Sequence, residues 1–202
     1  MNPESGIFHA LSLAADLVIV NVLMVLTSIP IVTIGASLRA GNYVIAQMVA
    51  ESGSRPARTY FRAFASQIKV VTAWWLVVLL VISLFTVEWL VLDNMDIAPN
   101  TDFAFRTGLL SGVLIVAGIS LWLFYEEALR ARSFSTAFVE AATLSLRHLP
   151  RTFLGLAMLA LPMIFFILAP ERWVALLSFY LIIGFALTLY LFQLLVRGVL
   201  SA

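Results

Sequence analysis

Apolar residues run in five long blocks along this chain, separated by stretches where charges and turn formers gather. The blocks cover about Leu13–Ile34, Val70–Leu92, Gly108–Tyr125, Thr152–Ala169 and Val174–Val196. Each has close to the roughly 20 residues a helix needs to cross about 30 Å of hydrocarbon. Only Pro170-Glu171-Arg172 joins the last two, which forces a tight antiparallel hairpin. The pattern predicts an all-α protein: a polytopic transmembrane helical bundle of five spans, forming one membrane domain over residues 1–202. The start, Met1 to Gly6, carries no Lys or Arg, so the first block reads as a retained span. A cleaved signal peptide ending near Gly35-Ala36-Ser37 is the weaker reading.

The connections have patterns of their own. Ala36–Ala50 and Thr59–Lys69 read as helices, broken by Glu51-Ser52-Gly53-Ser54-Arg55-Pro56. In the second, Tyr60, Phe61, Phe64 and Ile68 follow helical spacing, with Arg62 and Lys69 among them. Glu126–His148 reads as a helix continuing from the third span, with Glu126 and Arg130 one turn apart and Phe134, Phe138 and Leu144 on its apolar side. These amphipathic helices are expected in the membrane interface or packed under the bundle. Thr59-Tyr60-Phe61-Arg62-Ala63-Phe64 and Ser133-Phe134-Ser135-Thr136-Ala137-Phe138 echo each other, each ahead of a span. The echo points to two parallel units, Leu13–Leu92 and Gly108–Ala169, followed by a fifth helix.

Composition agrees with lipid as the solvent. The chain is 62% hydrophobic and 11% charged, against about half and a quarter in soluble domains. Charge distribution gives an orientation. Arg39, Arg55, Arg58, Arg62 and Lys69 lie between the first two spans, Arg130, Arg132, Arg147 and Arg151 between the third and fourth, and Arg197 after the fifth. Only Arg106 and Arg172 lie opposite. The two long connections and the carboxyl terminus are therefore expected in the cytoplasm, and the amino terminus outside. Trp74, Trp75 and Trp122 then fall near the inner boundary, Trp89 and Trp173 near the outer one.

The stretch from Asp16 to Ala40 includes Asn21 and then Ile29-Pro30-Ile31-Val32-Thr33-Ile34-Gly35-Ala36. It resembles the opening of the bacterial YesL family, membrane proteins of unknown function. That pattern has an Asn in the first span, then Leu-Pro-Ile-Val-Thr-Ile-Gly-Ala and a small-residue run into a cytoplasmic helix. Ile29 stands where Leu is usual, and Met24 where the family often has Trp. Tyr60-Phe61-Arg62-Ala63-Phe64 and Gln67-Ile68-Lys69 look like its aromatic–basic segment, so the likeness covers about Asp16 to Trp75. The resemblance implies a protein of the bacterial cytoplasmic membrane with a link to carbohydrate uptake or its regulation.

Polar residues are costly within hydrocarbon, about 2.5–3.5 kcal/mol for a central Asp, so they mark candidate sites. Asp16 is expected near the outer end of the first span, as an interfacial carboxylate or a cation contact. Asn21 lies deeper, with Ser28 seven residues on and nearly beneath it; interhelical hydrogen bonding is the main expectation. Pro30 and Gly35 bracket an expected kink, with Thr33 between them. A broken helix of that kind can also expose carbonyls to a solute, and Pro162 in the fourth span is a candidate partner break. Gly108 and Gly112, with Ser111 and Gly118 nearby, and Gly184 with Thr188, form small-residue steps for close helix packing within one chain or between copies. Glu88 and Gln193 look interfacial, and Asp93, Asp96 and Asp102 make an acidic outer loop.

Catalytic patterns are missing. Without cysteine there is neither a thiol nucleophile nor a Cys-ligated metal. His9 and His148 fall on opposite sides in this topology, so no metal site and no cofactor is expected. No nucleophile elbow, phosphate-cradling loop or His-Glu-x-x-His motif occurs. The basic loops fit anionic lipid and the topology rule, so nucleic acid is not an expected partner. The expectation is a non-enzymatic accessory protein partnered by the lipid bilayer and by a transporter permease or other membrane protein, with homo-oligomers open. A small-solute transporter or channel lined by Asn21, Ser28, Thr33 and the Pro30 break is the alternative.

Overall fold

The computed structural model describes residues 3–52, 55–66, 68–95, 97–129 and 134–197, with only the backbone described at 3–5, 126–129 and 134. In chain order the helices are α1 (Pro3–Thr27), α2 (Ile34–Val49), α3 (Pro56–Ala65), α4 (Ile68–Asp93), α5 (Pro99–Leu129), α6 (Phe134–Arg147), α7 (Leu149–Leu168), α8 (Trp173–Phe179) and α9 (Phe185–Val196). A π-helical turn, Tyr180–Gly184, joins α8 to α9. Among the described residues, five segments are long and apolar enough to cross a membrane: Gly6–Thr27, Ile68–Asp93, Pro99–Tyr125, Leu149–Leu168 and Pro170–Val196. The protein is thus all-helical with five candidate spans, as the apolar blocks require.

Several boundaries move for identifiable reasons. The first helix ends at Thr27, not at Ile34. Pro30 has no N–H to donate and pushes its predecessor out of helical geometry. It sits extended at φ −74°, ψ 113°, and a single 3-10 turn, Ile31–Thr33, reverses the chain into α2. The third span begins at Pro99, ahead of the apolar block, because the polar turn that precedes the block is itself helical: Arg106 Nε donates to Asp102 Oδ1, four residues back, at 2.8 Å. The helix expected over Thr59–Lys69 stops at Ala65, where Ser66 turns extended, and Lys69 falls in the first turn of α4. The helix expected over Glu126–His148 is two, α5 and α6. Asp96, Arg130, Arg132 and Ser133 lie outside the described residues, as does the side chain of Glu126.

The largest departure is α2. It touches α1, α3, α4, α5 and α9. Gly35, Ala36, Ser37, Arg39, Ala40, Gly41, Asn42, Val44 and Ile45 are all buried. One side of α2 adds Ala36 to a core of Val71, Trp74, Trp122, Leu123 and Phe192. The other adds Ala40, Val44 and Ile45 to a second core of Leu17, Val20, Met24, Tyr60 and Ala186. Small residues make this enclosure feasible, since they let helix backbones approach. A Cβ at Gly35 would stand 2.8 Å from both the Trp75 Cβ and the Val71 carbonyl oxygen, and one at Gly41 would meet the sulfur of Met24.

The far half of the bundle is different. Leu84, Val87 and Leu90 of α4, Leu110 and Leu114 of α5, and Met163, Phe166 and Leu168 of α7 are all exposed. In water such a surface would be unstable; against acyl chains it is matched. Arg106 fastens the α4–α5 hairpin there, pairing with Asp93 and Asp102 at 2.8 Å each and lying 4.5 Å over the Trp89 ring. Two of the acidic residues expected in a solvated loop are therefore ion-paired.

Candidate functional site

Polar side chains concentrate where α2 meets its neighbours. Asn21 is fully buried in α1 and faces the π-helical turn of the fifth span. Its Nδ2 donates to the carbonyls of Tyr180 (2.9 Å) and Leu181 (2.8 Å), and its Oδ1 accepts from the Ala186 N–H at 3.0 Å. A π turn disrupts the regular ladder of backbone bonds. One amide supplies the missing donor and acceptor, and this joins α1 to α9.

A second node joins α1, α2 and α3. The buried Tyr60 hydroxyl lies 2.6 Å from Thr27 Oγ1 and 3.0 Å from Ser37 Oγ, and Ser37 donates to the Met24 carbonyl at 2.9 Å. Burial pushes the Tyr60 phenol above its usual range, and the hydrogen bonds to Ser37 and Thr27 offset part of that rise. Beside it, the buried Arg39 guanidinium donates through Nη1 to the Ala63 carbonyl (2.9 Å) and to the carbonyl and hydroxyl of Ser66 (3.0 and 2.8 Å). A cation at the last carbonyls of a helix is favourably placed against the helix dipole. Arg39 therefore clamps the end of α3.

A third set closes the base of the bundle. Gln193 Nε2 donates to Asn42 Oδ1 at 3.3 Å, and Asn42 Nδ2 to the Leu38 carbonyl at 3.2 Å. Trp122 Nε1 donates to Thr152 Oγ1 at 2.8 Å, and Thr152 in turn to the Ser145 carbonyl at 2.9 Å, which ties α5, α6 and α7. His148 stacks near Trp122, with centroids 5.7 Å apart, and burial together with the charges of Arg151 and Arg147 holds its pKa below the usual value.

Above Asn42 and Leu38 opens a cavity of about 250 Å³ between α2, α4, α5, α7 and α9. Its wall is overwhelmingly apolar, with Val78, Ile82, Val116, Leu121, Met158 and Phe192 prominent. The polar residues that reach it are Asn42, Ser120 and Thr188. Ser120 and Thr188 donate to carbonyls one turn back, at 2.6 and 2.8 Å, and Ser120 also accepts from Trp74 Nε1 at 3.2 Å.

The residues singled out from sequence do not form one site. None of Asn21, Ser28, Pro30 or Thr33 lines the cavity. Thr33 folds back onto the carbonyls of Thr27 (2.6 Å) and Pro30 (2.7 Å), capping the break. Ser28 falls just beyond the helix end that Asn21 belongs to, half-buried, with its N–H on the Met24 carbonyl at 3.0 Å. Asp16 was separated from Arg55 by the expected topology; instead both line one small pocket with Val44, Gln47 and Thr59. That placement follows from α2 returning antiparallel to α1, as the Met24–Ser37 and Met24–Gly41 contacts also require.

The small-residue steps divide. Gly118 packs on Thr152, whose Cγ2 would lie 3.1 Å from an added Cβ, and a Cβ added at Gly184 would lie 2.8 Å from the ring of Tyr180. A Cβ added at Gly108 or Gly112 would meet nothing within 4 Å, so of the two packings expected of them the one inside the chain is not made. Sequence reasoning missed Ser37, Arg39, Asn42 and the burial of Gln193, which it placed at an interface. The signal was available in the small-residue rhythm Gly35-Ala36-Ser37, Ala40-Gly41, which marks a helix meant to be surrounded.

The architecture defines the class: an α-helical protein with five candidate membrane spans. A family model described as "Protein of unknown function, DUF624" matches residues 17–89. The match covers the polar nodes of α1 to α3 and most of α4. No curated protein and no solved structure matches the chain.

Proposed function

We propose that this chain is a non-enzymatic accessory protein of the bacterial cytoplasmic membrane, acting by helix–helix contact with a permease of carbohydrate uptake. One observation carries the preference over a solute conduit: the buried polar side chains within the spans, Asn21, Thr152 and Gln193, are hydrogen-bonded within the protein itself. Asn21 spends both ends of its amide on the fifth span. The wall of the large cavity offers a sugar almost no hydrogen-bonding groups, whereas a hydroxylated substrate needs placed polar partners. The carbohydrate link rests on the likeness of Asp16–Trp75 to the YesL pattern.

Capture of the tagged chain, in a detergent that preserves known membrane complexes, is expected to bring down a permease encoded beside it. Failure to do so would count against the accessory reading. Reconstituted vesicles are expected to show no sugar flux above protein-free controls. Flux that falls with Asn21→Ala would favour transport instead.

In the proposed orientation the basic connections and carboxyl terminus face the cytoplasm and the amino terminus lies outside. Single cysteines at Gly6 and Arg147 test it, because the chain has no other thiol. An impermeant maleimide should reach position 6 from outside and position 147 only after permeabilisation. Protection of position 6 would mean that α1 enters and leaves on the basic side, an arrangement the closeness of Asp16 to Arg55 would explain.

A further inference from the structure

We propose that the cavity between α2, α4, α5, α7 and α9 is a binding site for one acyl chain of a membrane phospholipid. Its volume, about 250 Å³, exceeds the roughly 150 Å³ of an apolar cavity that stays dry and takes benzene. Water needs 2–4 polar partners to settle in such a space. The polar residues on the wall are already engaged: Ser120 with Val116 and Trp74, Thr188 with Gly184, and Asn42 with Leu38 and Gln193. The occupant is therefore apolar.

Its route of entry identifies it further. Ile82 and Leu159 line the cavity and are also 47% and 52% exposed on the apolar exterior of the bundle. The space thus communicates sideways with the surface that acyl chains cover. Its closed end is α2, where Leu38 and Asn42 form a floor beside the buried Gln193. A flexible methylene chain fits a dry, laterally reached space with no charged lining. The chain it admits leaves its headgroup in the lipid layer, so the cavity selects by shape rather than by headgroup. A seated chain would add to the contacts, such as Trp122–Thr152, by which the α4–α5 hairpin already meets α7.

Photo-crosslinking tests this on the unaltered chain. The protein is reconstituted in nanodiscs containing phosphatidylcholine with a diazirine on its acyl chain, then irradiated and mapped by peptide mass spectrometry. Labels are expected at Met158, Leu121 or Val116, on the cavity wall, in addition to the exterior. Labels confined to exterior residues such as Leu84 and Leu154 would overturn the proposal. Two filling substitutions on different helices, Ala117→Phe and Val81→Phe, should each lower the wall labelling at least fivefold and leave the exterior labelling unchanged. Helicity by circular dichroism identifies a variant that has not folded, and the mapping on the unaltered chain stands without it. Wall labelling that persists at full level in a folded, filled variant would show that the label reaches those residues by another path and sink the site.

Discussion

Gly35 and Gly41 in α2, and Gly108 and Gly112 in α5, are small-residue steps in apolar sequence, yet they meet opposite surroundings. At α2 an added Cβ would run into Trp75, Val71 and Met24; at the start of α5 it would meet nothing within 4 Å. The first pair lies where five helices converge, with Ser37, Arg39 and Asn42 buried beside it. The second lies among exposed leucines. A glycine step is a statement about permitted approach. Whether anything takes up the permission depends on what the rest of the chain brings there.

The sharpest way to break this contrast is to fill both regions. Gly35→Leu is expected to destabilise by about 3 kcal/mol or more, since overpacking in a well-packed core typically costs 1–3 and here a backbone carbonyl is in the way. The midpoint of unfolding in a mixed-detergent titration reads it. A neutral result would mean that α2 is not held against α4. Arg39→Met comes next. It strips three carbonyl and hydroxyl acceptors of a charged donor, and hydrogen bonds to charged groups are worth about 1.5–3 kcal/mol. A loss of about 2 kcal/mol is expected, with faster proteolysis in the 50–66 segment.

Asn21→Leu removes the amide that serves the π turn, and intramembrane hydrogen bonds of this kind average about 0.6 and reach about 2 kcal/mol. A cost near 1–2 kcal/mol is expected, together with faster amide exchange at Ala186. Unchanged exchange there would detach Asn21 from the fifth span. Tyr60→Phe should cost about 1 kcal/mol and also change the alkaline limb of the stability curve. The Tyr60 phenol is raised in the folded protein, so folding favours its protonated form. That contribution is whole below the ordinary pKa of about 10 and is lost as pH rises through the folded value. The unaltered chain should weaken in that window and Tyr60→Phe should weaken less. Smallest of all, Gly112→Leu should leave monomer stability within about 0.5 kcal/mol. If it also abolishes capture of a permease, the open face of α5 is where that partner binds.

Hydropathy carried much of the architecture. Five apolar blocks became five candidate spans because the length that crosses hydrocarbon is a property of the helix itself. Pro30 foretold its break for an equally local reason, the missing N–H. The echo between Thr59–Phe64 and Ser133–Phe138 fared less clearly. α3 and α6 each precede a span, but among the described residues no counterpart of α2 stands between α5 and α6. Asn21 was legible as a hydrogen-bonding residue, but the π turn it serves lies 159 residues away.

Taken alone, the sequence determined that five segments are long and apolar enough to cross a membrane, and where the chain must turn. Those follow from composition and from hydrogen bonds within a few residues. The tertiary structure alone decided that α2 is enclosed rather than interfacial, that Asp16 lies beside Arg55, and that the large cavity is apolar. Each depends on which faces meet across long separations. In an apolar solvent hydropathy does not select those faces, because lipid and protein interior are alike to a leucine.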